Sequence, residues 1–173
     1  MRGARPGVPL HISTSTMEDK LVTLEDFISI RKRLHGEGKV VVFTNGCFDL
    51  IHCGHINYLA SAKELGDVLV VAINSDNSMR QIKGPKRPII PQEDRAKIVS
   101  ALECVNYVII FDEPTPKKLI KTILPDILVK GADWEPDEIV GADIVEKVVR
   151  IPLTEDQSTS AIIEKIVERY GDK

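Results

Sequence analysis

Residues 40–55 read VVVFTNGCFDLIHCGH, and this stretch decides the fold of the chain. Its first four residues are apolar, and a short apolar run that ends at a glycine-containing turn predicts a buried strand. A helical pattern then runs from Ile56 to Leu65. The turn between them joins the carboxyl end of a strand to the start of a helix, where free backbone N–H groups and the helix dipole favour a polyphosphate.

Two histidines, His52 and His55, flank Gly54 in this turn. Their spacing allows both rings to face one ligand, to which imidazoles donate hydrogen bonds and, when protonated, positive charge. Gly54 allows the backbone to approach that ligand closely. The pattern therefore predicts binding of a nucleoside triphosphate and transfer of its nucleotidyl group. In isolation the same pair also fits a helix cap or core histidines.

Composition excludes several other classes of protein. The chain has 173 residues and a formal net charge of −3, which indicates one domain and argues against a broad nucleic-acid surface. No apolar run is long enough to cross a bilayer, and no charged-then-apolar leader opens the chain. The three cysteines fit reduced thiols in the cytosol, and those near the histidines lack the spacing of zinc ligands. We expect a cytoplasmic protein without a metal site of its own or a membrane partner.

Strand and helix patterns alternate along the chain. Residues 1–18 show no periodicity and are predicted to be a disordered tail, so the domain spans 19–173. Continuous apolar strands between helices are typical of parallel strands covered on both faces. The predicted fold is a doubly wound α/β domain with a mostly parallel five-stranded sheet, Rossmann-like. Strands are predicted at 40–43, 68–73, 107–111, 127–130 and 148–152, and helices at 23–36, 56–65, 95–102, 116–123 and 160–170.

Polar segments follow each predicted strand, and in a doubly wound sheet the ligand lies beyond the carboxyl ends of the strands. These segments predict a single active site and cover residues 44–49, 74–76, 112–115, 130–133 and 154–158. After the second strand, residues 79–88 are basic and punctuated by glycine and proline, which indicates a mobile flap over anionic ligands or a solvated surface loop. Lys83 is the preferred phosphate ligand there, and Arg87 and Arg95 are weaker candidates for binding an anionic ligand.

The segments Asn45–Asp49 and His52–His55 together resemble the signature of the HxGH nucleotidyltransferases. Within that family, residues 74–89, 113–120 and 125–131 are similar to the adenylyltransferases that make ADP-heptose from heptose 1-phosphate, and a late Ser-Thr-Ser at 158–160 completes the set. The ordered set spans roughly residues 38–168 and is far more specific than one HxGH.

The resemblance implies that ATP is the donor, that a sugar 1-phosphate is the acceptor and that Mg²⁺ is bound through the ATP phosphates. His52, His55 and Lys83 are the predicted catalytic residues. The predicted nucleotide- and substrate-binding residues are Thr44, Asn45, Gly46, Phe48, Asp49, Gly54, Asn74, Asp76, Arg87, Lys130, Gly131, Asp133, Ser158 and Thr159.

Several of these residues have a second, structural interpretation. Asp49 also fits a turn-stabilising carboxylate, Phe48 a core residue, and Ser158 or Thr159 a plain helix cap. Trp134 fits either stacking on a base or sugar or covering an apolar edge. The chain departs from the family most at Asp156, where a glycine is common, and around residues 143–148, which are about four residues shorter than usual.

Alternatives remain open for the reaction and the assembly. The same strand-one motif serves cytidylyl transfer to glycerol 3-phosphate, adenylyl transfer to FMN or phosphopantetheine, or nucleotide binding without turnover. Many relatives carry a fused sugar kinase, for which this chain has no room, so we expect a separate kinase. A homodimer formed through the apolar first helix around Phe27 is a further hypothesis.

Overall fold

The computed structural model describes residues 16–152 and 157–171. A five-stranded sheet is formed by β1 (Val41–Gly46), β2 (Val68–Asn74), β3 (Tyr107–Phe111), β4 (Ile127–Gly131) and β5 (Lys147–Ile151). The α-helices are α1 (Met17–Lys20), α2 (Leu24–Gly36), α3 (Cys53–Lys63), α4 (Asp76–Lys83), α5 (Gln92–Ser100), α6 (Lys117–Ile123) and α7 (Thr159–Tyr170), and Pro136–Glu138 form a 3₁₀ turn.

All four strand pairings are parallel, and the strand order is β3-β2-β1-β4-β5. The chain builds outward from β1 through β2 to β3, then returns to place β4 on the other side of β1. The order therefore reverses between β1 and β4, and a crevice opens at the carboxyl ends of these two strands. The predicted doubly wound α/β fold is confirmed, with a sheet that is wholly parallel.

The sheet is covered on both faces, as the continuous apolar strands predict. Side chains alternate along β1, so that Val41 and Phe43 pack on one face and Val42 on the other. The first face carries buried residues of α2 and α6, and the second carries buried residues of α3 and α5. Both layers hold β1 rigidly in the centre of the sheet, which fixes the turn that follows it.

The apolar face of α2 is turned into the protein. Thr23 caps this helix by accepting a hydrogen bond from the Asp26 N–H at 3.1 Å. Phe27 is fully buried, and its ring meets that of Tyr107 edge-on at 5.3 Å between centroids. The hypothesis of a dimer contact around Phe27 is wrong in its location, because the core already covers this side chain. Dimerisation as such stays a prediction.

Two element predictions need correction. Residues 76–83 form helix α4 rather than part of a flap, because Ser75 caps it through the Ser78 N–H and Met79 is fully buried beneath it. At the amino terminus, residues 17 and 18 belong to α1, whose capping box joins Thr16 and Asp19. The rest of the predicted tail, and residues 154–156 of the late polar segment, lie outside the described residues. No helix in the described ranges is long and apolar enough to cross a bilayer.

Candidate active site

A cavity of about 560 Å³ opens at the carboxyl ends of β1 and β4, where the strand order reverses. Its wall is drawn from the carboxyl ends of β1, β2 and β4, from α3 and α4, from the connecting segments and from the start of α7. Most of the predicted site residues line it: Asn45, Gly46, Phe48, Asp49, His52, Gly54, His55, Asn74, Lys83, Arg87, Lys130, Gly131, Asp133, Ser158 and Thr159. The structure therefore brings these residues to one place.

The two histidines of the motif lie side by side at the start of α3. His52 is the N-cap residue, and its ring stacks on that of His55 with centroids 3.9 Å apart. Burial lowers the pKa of His55 to about 4, with the neighbouring His52 acting in the same direction, and burial also lowers the pKa of His52. In the absence of a ligand, both imidazoles therefore favour the neutral form near pH 7.

The Nδ1 atoms of both rings are buried, and neither has a hydrogen-bond partner within the part of the chain that the structure describes. Buried polar atoms without partners carry a desolvation cost, so such groups in a cavity wall are typical of a site that receives a polar ligand.

Packing explains both glycines of the strand-one motif. A side chain at Gly46 would place its Cβ 3.0 Å from the ring of Phe48, and one at Gly54 would lie 3.0 Å from the ring of His52. Phe48 has a left-handed backbone with φ of 46°, is almost fully buried, and its ring lies 5.3 Å from that of His55. The missing side chains at Gly46 and Gly54 thus leave room for the rings of Phe48 and His52, and they also allow a ligand to approach the backbone.

The start of α7 reaches the same wall. Ser158 caps α7 by accepting a hydrogen bond from the Ala161 N–H at 3.0 Å, which confirms the capping interpretation for this residue. The Thr159 hydroxyl donates to the Leu50 carbonyl at 3.4 Å, and the Gly54 N–H donates to the Gln157 side-chain carbonyl at 2.7 Å. The beginnings of α3 and α7 are thus tied together.

Asp49 anchors the segment after α4. Its side chain is 1% exposed and accepts hydrogen bonds from the Arg87 Nε at 2.6 Å and from the backbone N–H groups of Ile89 and Ile90 at 2.9 Å. These contacts fix the Arg87 side chain at the cavity wall, so the residues after Gly84 are held down rather than free. The structure thus supports the interpretation of Asp49 as a turn-stabilising carboxylate.

Lys130 is the penultimate residue of β4, lines the cavity and is 8% exposed. Its ammonium donates to the Asn45 side-chain oxygen and lies 5.8 Å from the centroid of the Trp134 ring. Burial lowers the pKa of Lys130 to about 8, against the opposing effect of the Asp133 carboxylate. This ammonium is poorly solvated, so an anionic ligand in the cavity would stabilise its positive charge. Trp134 is 46% exposed and contributes to the cavity wall.

Three predicted residues do not reach the cavity. Thr44 is fully buried and its hydroxyl bonds that of Tyr58 at 2.8 Å. Asp76 pairs with Arg95 at 2.8 Å, and Arg95 is itself fully buried and also donates to the Cys47 carbonyl. The site predictions for Thr44, Asp76 and Arg95 are corrected. Asp76 at the start of α4 and Arg95 in α5 instead link these two helices to the turn after β1.

Sequence reasoning missed several wall residues. Asn74 was predicted, but its partner was not: its amide donates to the Ser78 hydroxyl at 2.9 Å. Gln157 was missed because a glutamine before a helix cap carries no recognisable signal of its own. Other wall residues that were not individually predicted are Cys47, Tyr58, Met79, Ile82, Pro116, Ile139, Val140 and Ser160, while Pro114 and Thr115 belong to the predicted polar segment 112–115. Within the described residues, no three histidine, cysteine or acidic side chains converge as metal ligands.

Sequence comparison defines the class of protein that this fold and cavity belong to. Residues 43–165 match the sequence model of the cytidylyltransferase-like family, and the chain belongs to that family. The match begins within β1, includes the histidine motif and extends into α7, so it covers the residues that form the cavity. The prediction of a nucleotidyltransferase enzyme is confirmed.

The more particular similarity is to proteins named bifunctional protein HldE. The chain is 51% identical over 152 residues to that of Syntrophotalea carbinolica, covering 86% of this chain and 30% of the relative. It is 51% identical over 155 residues to that of Nitratiruptor sp., covering 90% of this chain and 34% of the relative. The chain thus spans about a third of the length of these curated relatives.

A solved structure agrees with the fold. The lipopolysaccharide core biosynthesis protein from Thermoplasma volcanium is 33% identical, with a TM-score of 0.59. The similarity covers 68% of this chain and 100% of that protein.

Proposed function

We propose that this chain transfers AMP from ATP to a heptose 1-phosphate and releases pyrophosphate. The observation that carries the proposal is the convergence of the stacked histidines, Lys83, Lys130 and the start of α7 on one cavity. A triphosphate and a sugar phosphate together are strongly anionic, and this wall offers ammonium groups, neutral N–H donors and helix starts. The identity to HldE proteins supports the choice of acceptor.

The reaction is a direct displacement at the α-phosphorus of ATP. An oxygen of the sugar 1-phosphate forms the new P–O bond, while the bond from the α-phosphorus to the bridging oxygen breaks and pyrophosphate leaves with the electron pair. A phosphate nucleophile is already ionised at neutral pH, so no general base is required. Catalysis therefore rests on positioning the two anions and on neutralising charge in the transition state.

Each part of the wall has a role in this mechanism. The neutral imidazoles of His52 and His55 donate N–H groups toward the α-phosphoryl oxygens, where charge builds up. Lys83 and Lys130 bring positive charge to the phosphates. The amides and hydroxyls at the start of α7, with Ser158 and Thr159, hold the outer phosphates. Arg87, fixed by Asp49, faces the acceptor phosphate.

The proposed Mg²⁺ enters with ATP. We expect the ion to be coordinated by phosphate oxygens and water, which Mg²⁺ favours over an all-protein cage. When bound, the ion neutralises part of the phosphate charge. Because ATP is the donor, we place the reaction in the cytoplasm, and a sugar kinase has to supply the acceptor.

A donor and acceptor screen tests the proposal. Purified protein is incubated with ATP or CTP and with heptose 1-phosphate, glycerol 3-phosphate, FMN or phosphopantetheine, and pyrophosphate is measured in each pair. We expect release with ATP and heptose 1-phosphate to exceed every other pair. Release only with CTP and glycerol 3-phosphate would replace the proposed reaction by cytidylyl transfer. ATP binding without release from any acceptor would make the chain a nucleotide-binding protein.

A further inference from the structure

The first turn of α3 has backbone amides without a partner inside the helix, and one of them already has another partner. By helix geometry the amides of Cys53 and Gly54 have no partner inside the helix, whereas the His55 N–H donates to the His52 carbonyl at 3.0 Å. The Gly54 N–H donates to the side-chain carbonyl of Gln157 at 2.7 Å. The amide of the histidine motif's glycine is therefore capped by a residue from the other end of the chain.

The Gln157 side chain binds this amide and can also move away from it. Its Cβ lies 3.4 Å from the position that a Cβ on Gly54 would occupy, so the two backbones are close. Gly54 is buried, but Gln157 is an exposed residue of the cavity wall. Withdrawal of the glutamine side chain into solvent therefore breaks one hydrogen bond and disturbs no core packing.

The neighbouring atoms point to a ligand at the same place. The Nδ1 atoms of His52 and His55 are buried, and within the described residues neither has a partner. Both rings and Gln157 line the same cavity. One N–H group donates fully to one acceptor, so a phosphate oxygen that bonds the Gly54 amide has to displace the glutamine carbonyl.

We infer that Gln157 is a displaceable cap that sets the affinity for the triphosphate: its carbonyl holds the Gly54 amide, and binding of the polyphosphate at the start of α3 expels it. The inference rests on the proposed function in one respect, that a polyphosphate binds at this turn. The cap lowers affinity, because each binding event has to break the glutamine contact before it gains the phosphate contact.

The variants follow from the chemistry of the cap. Gln157→Ala removes the competing carbonyl, and since one hydrogen bond is at stake, we expect the dissociation constant for ATP to fall by about two- to tenfold. Gln157→Glu keeps the shape but places an anion on the same amide, where it holds more tightly and repels phosphate. We expect Gln157→Glu to weaken ATP binding by at least about tenfold.

The chain offers a matched control. The Gln92 side-chain carbonyl accepts from the Asp76 N–H at the start of α4 at 2.8 Å, which is the same contact at a helix start outside the cavity wall. Gln92→Ala removes a glutamine cap of the same kind, and we expect it to lower the melting temperature without changing ATP affinity.

Calorimetric titration with ATP and with inorganic tripolyphosphate is carried out on the wild-type protein and on all three variants. The order Gln157→Ala tightest, wild type intermediate and Gln157→Glu weakest supports the inference. Equal or weaker binding by Gln157→Ala overturns it, and so does the absence of polyphosphate binding in every variant. Because pyrophosphate release is not the measurement, a protein that shows this order but transfers no AMP would refute the proposed reaction and leave the cap intact.

Discussion

His52 and His55 are held by their neighbours before any ligand is considered. Phe48 packs near His55, Gly54 makes room for the His52 ring, and the two imidazoles stack with centroids 3.9 Å apart. Such packing fixes the orientation of both rings. A preorganised donor stabilises developing charge without a reorganisation cost at the moment of reaction.

The first prediction concerns the loss of one imidazole. His55→Asn keeps a polar side chain but removes the ring that packs beside Phe48 and His52. Because the lost hydrogen bond stabilises mainly the transition state, we expect kcat for AMP transfer to fall by about a hundred- to a thousandfold. His35→Asn is the control, since His35 is exposed near the end of α2. The role of His55 would be contradicted if kcat of His55→Asn fell by less than about fivefold, or by no more than kcat of the control.

The second prediction follows from the pKa of Lys130, which burial lowers to about 8. Below that pH the side chain is a cation and attracts phosphate; above it the cation is lost. We therefore expect kcat/KM to decline as the pH rises through 8, since kcat/KM reports the free enzyme. Lys130→Arg stays charged over this range and should keep a level profile. An identical decline in wild type and Lys130→Arg would assign the pH dependence to another group.

At the scale of elements, the segment after α4 is fixed by a single carboxylate. We call residues 87–90 the Asp49-anchored segment, because Asp49 binds the Arg87 side chain and the amides of Ile89 and Ile90. Three donors around one buried carboxylate satisfy its charge, and removal of that charge leaves an unpaired guanidinium and two unpaired amides. The anchor therefore determines whether Arg87 faces the cavity.

The third prediction tests this anchor. Asp49→Asn removes the charge and replaces one acceptor oxygen by an NH₂ donor that faces other donors, so we expect the free energy of unfolding to fall by about 3 kcal/mol and KM for the sugar phosphate to rise about tenfold. Asp126→Asn is a matched control. Asp126 binds the Val41 N–H at 2.7 Å and Arg31 at 3.0 Å at the opposite end of β1.

The control separates loss of stability from loss of function. Both variants break a carboxylate that serves an arginine and a backbone amide, but only Asp49 borders the cavity. We expect Asp126→Asn to lower stability while its KM stays within about twofold of wild type. A KM change of the same size in both variants would mean that the anchor acts through general stability alone.

These elements also show what sequence reasoning could and could not reach. The strands of the sheet were predictable because continuous apolar runs have few other structural solutions. Helix α4 was not, because DNSMRQIK carries only two apolar residues, Met79 and Ile82, and its cap at Ser75 precedes a weak pattern. The Asp49-anchored segment joins residues about forty positions apart in sequence, which local patterns do not report.

At the scale of the molecule, the cavity results from the strand order. Because β4 lies beside β1, the turn after β1 and the end of β4 meet at one crevice, and the start of α7 returns to it. The prediction that polar strand ends share one edge depended only on parallel strands, so it did not require side-chain detail. Thr44 and Asp76 were misplaced because side-chain direction within an edge segment depends on tertiary packing.

The last prediction uses the same geometry. The cavity wall gathers residues from β1 to the start of α7, so a ligand that binds there is lost only when most of the fold opens. At a concentration of one hundred times Kd, ATP should add about 2.7 kcal/mol to the free energy of unfolding and raise the melting temperature by roughly 5–10 °C. Adenosine at the same concentration is the control: it lacks the phosphates that meet the histidines and the helix starts, and we expect a shift below about 2 °C. Thermal unfolding followed by circular dichroism measures both shifts. An equal shift from adenosine would mean that the base and sugar provide the binding free energy and that the polyphosphate does not.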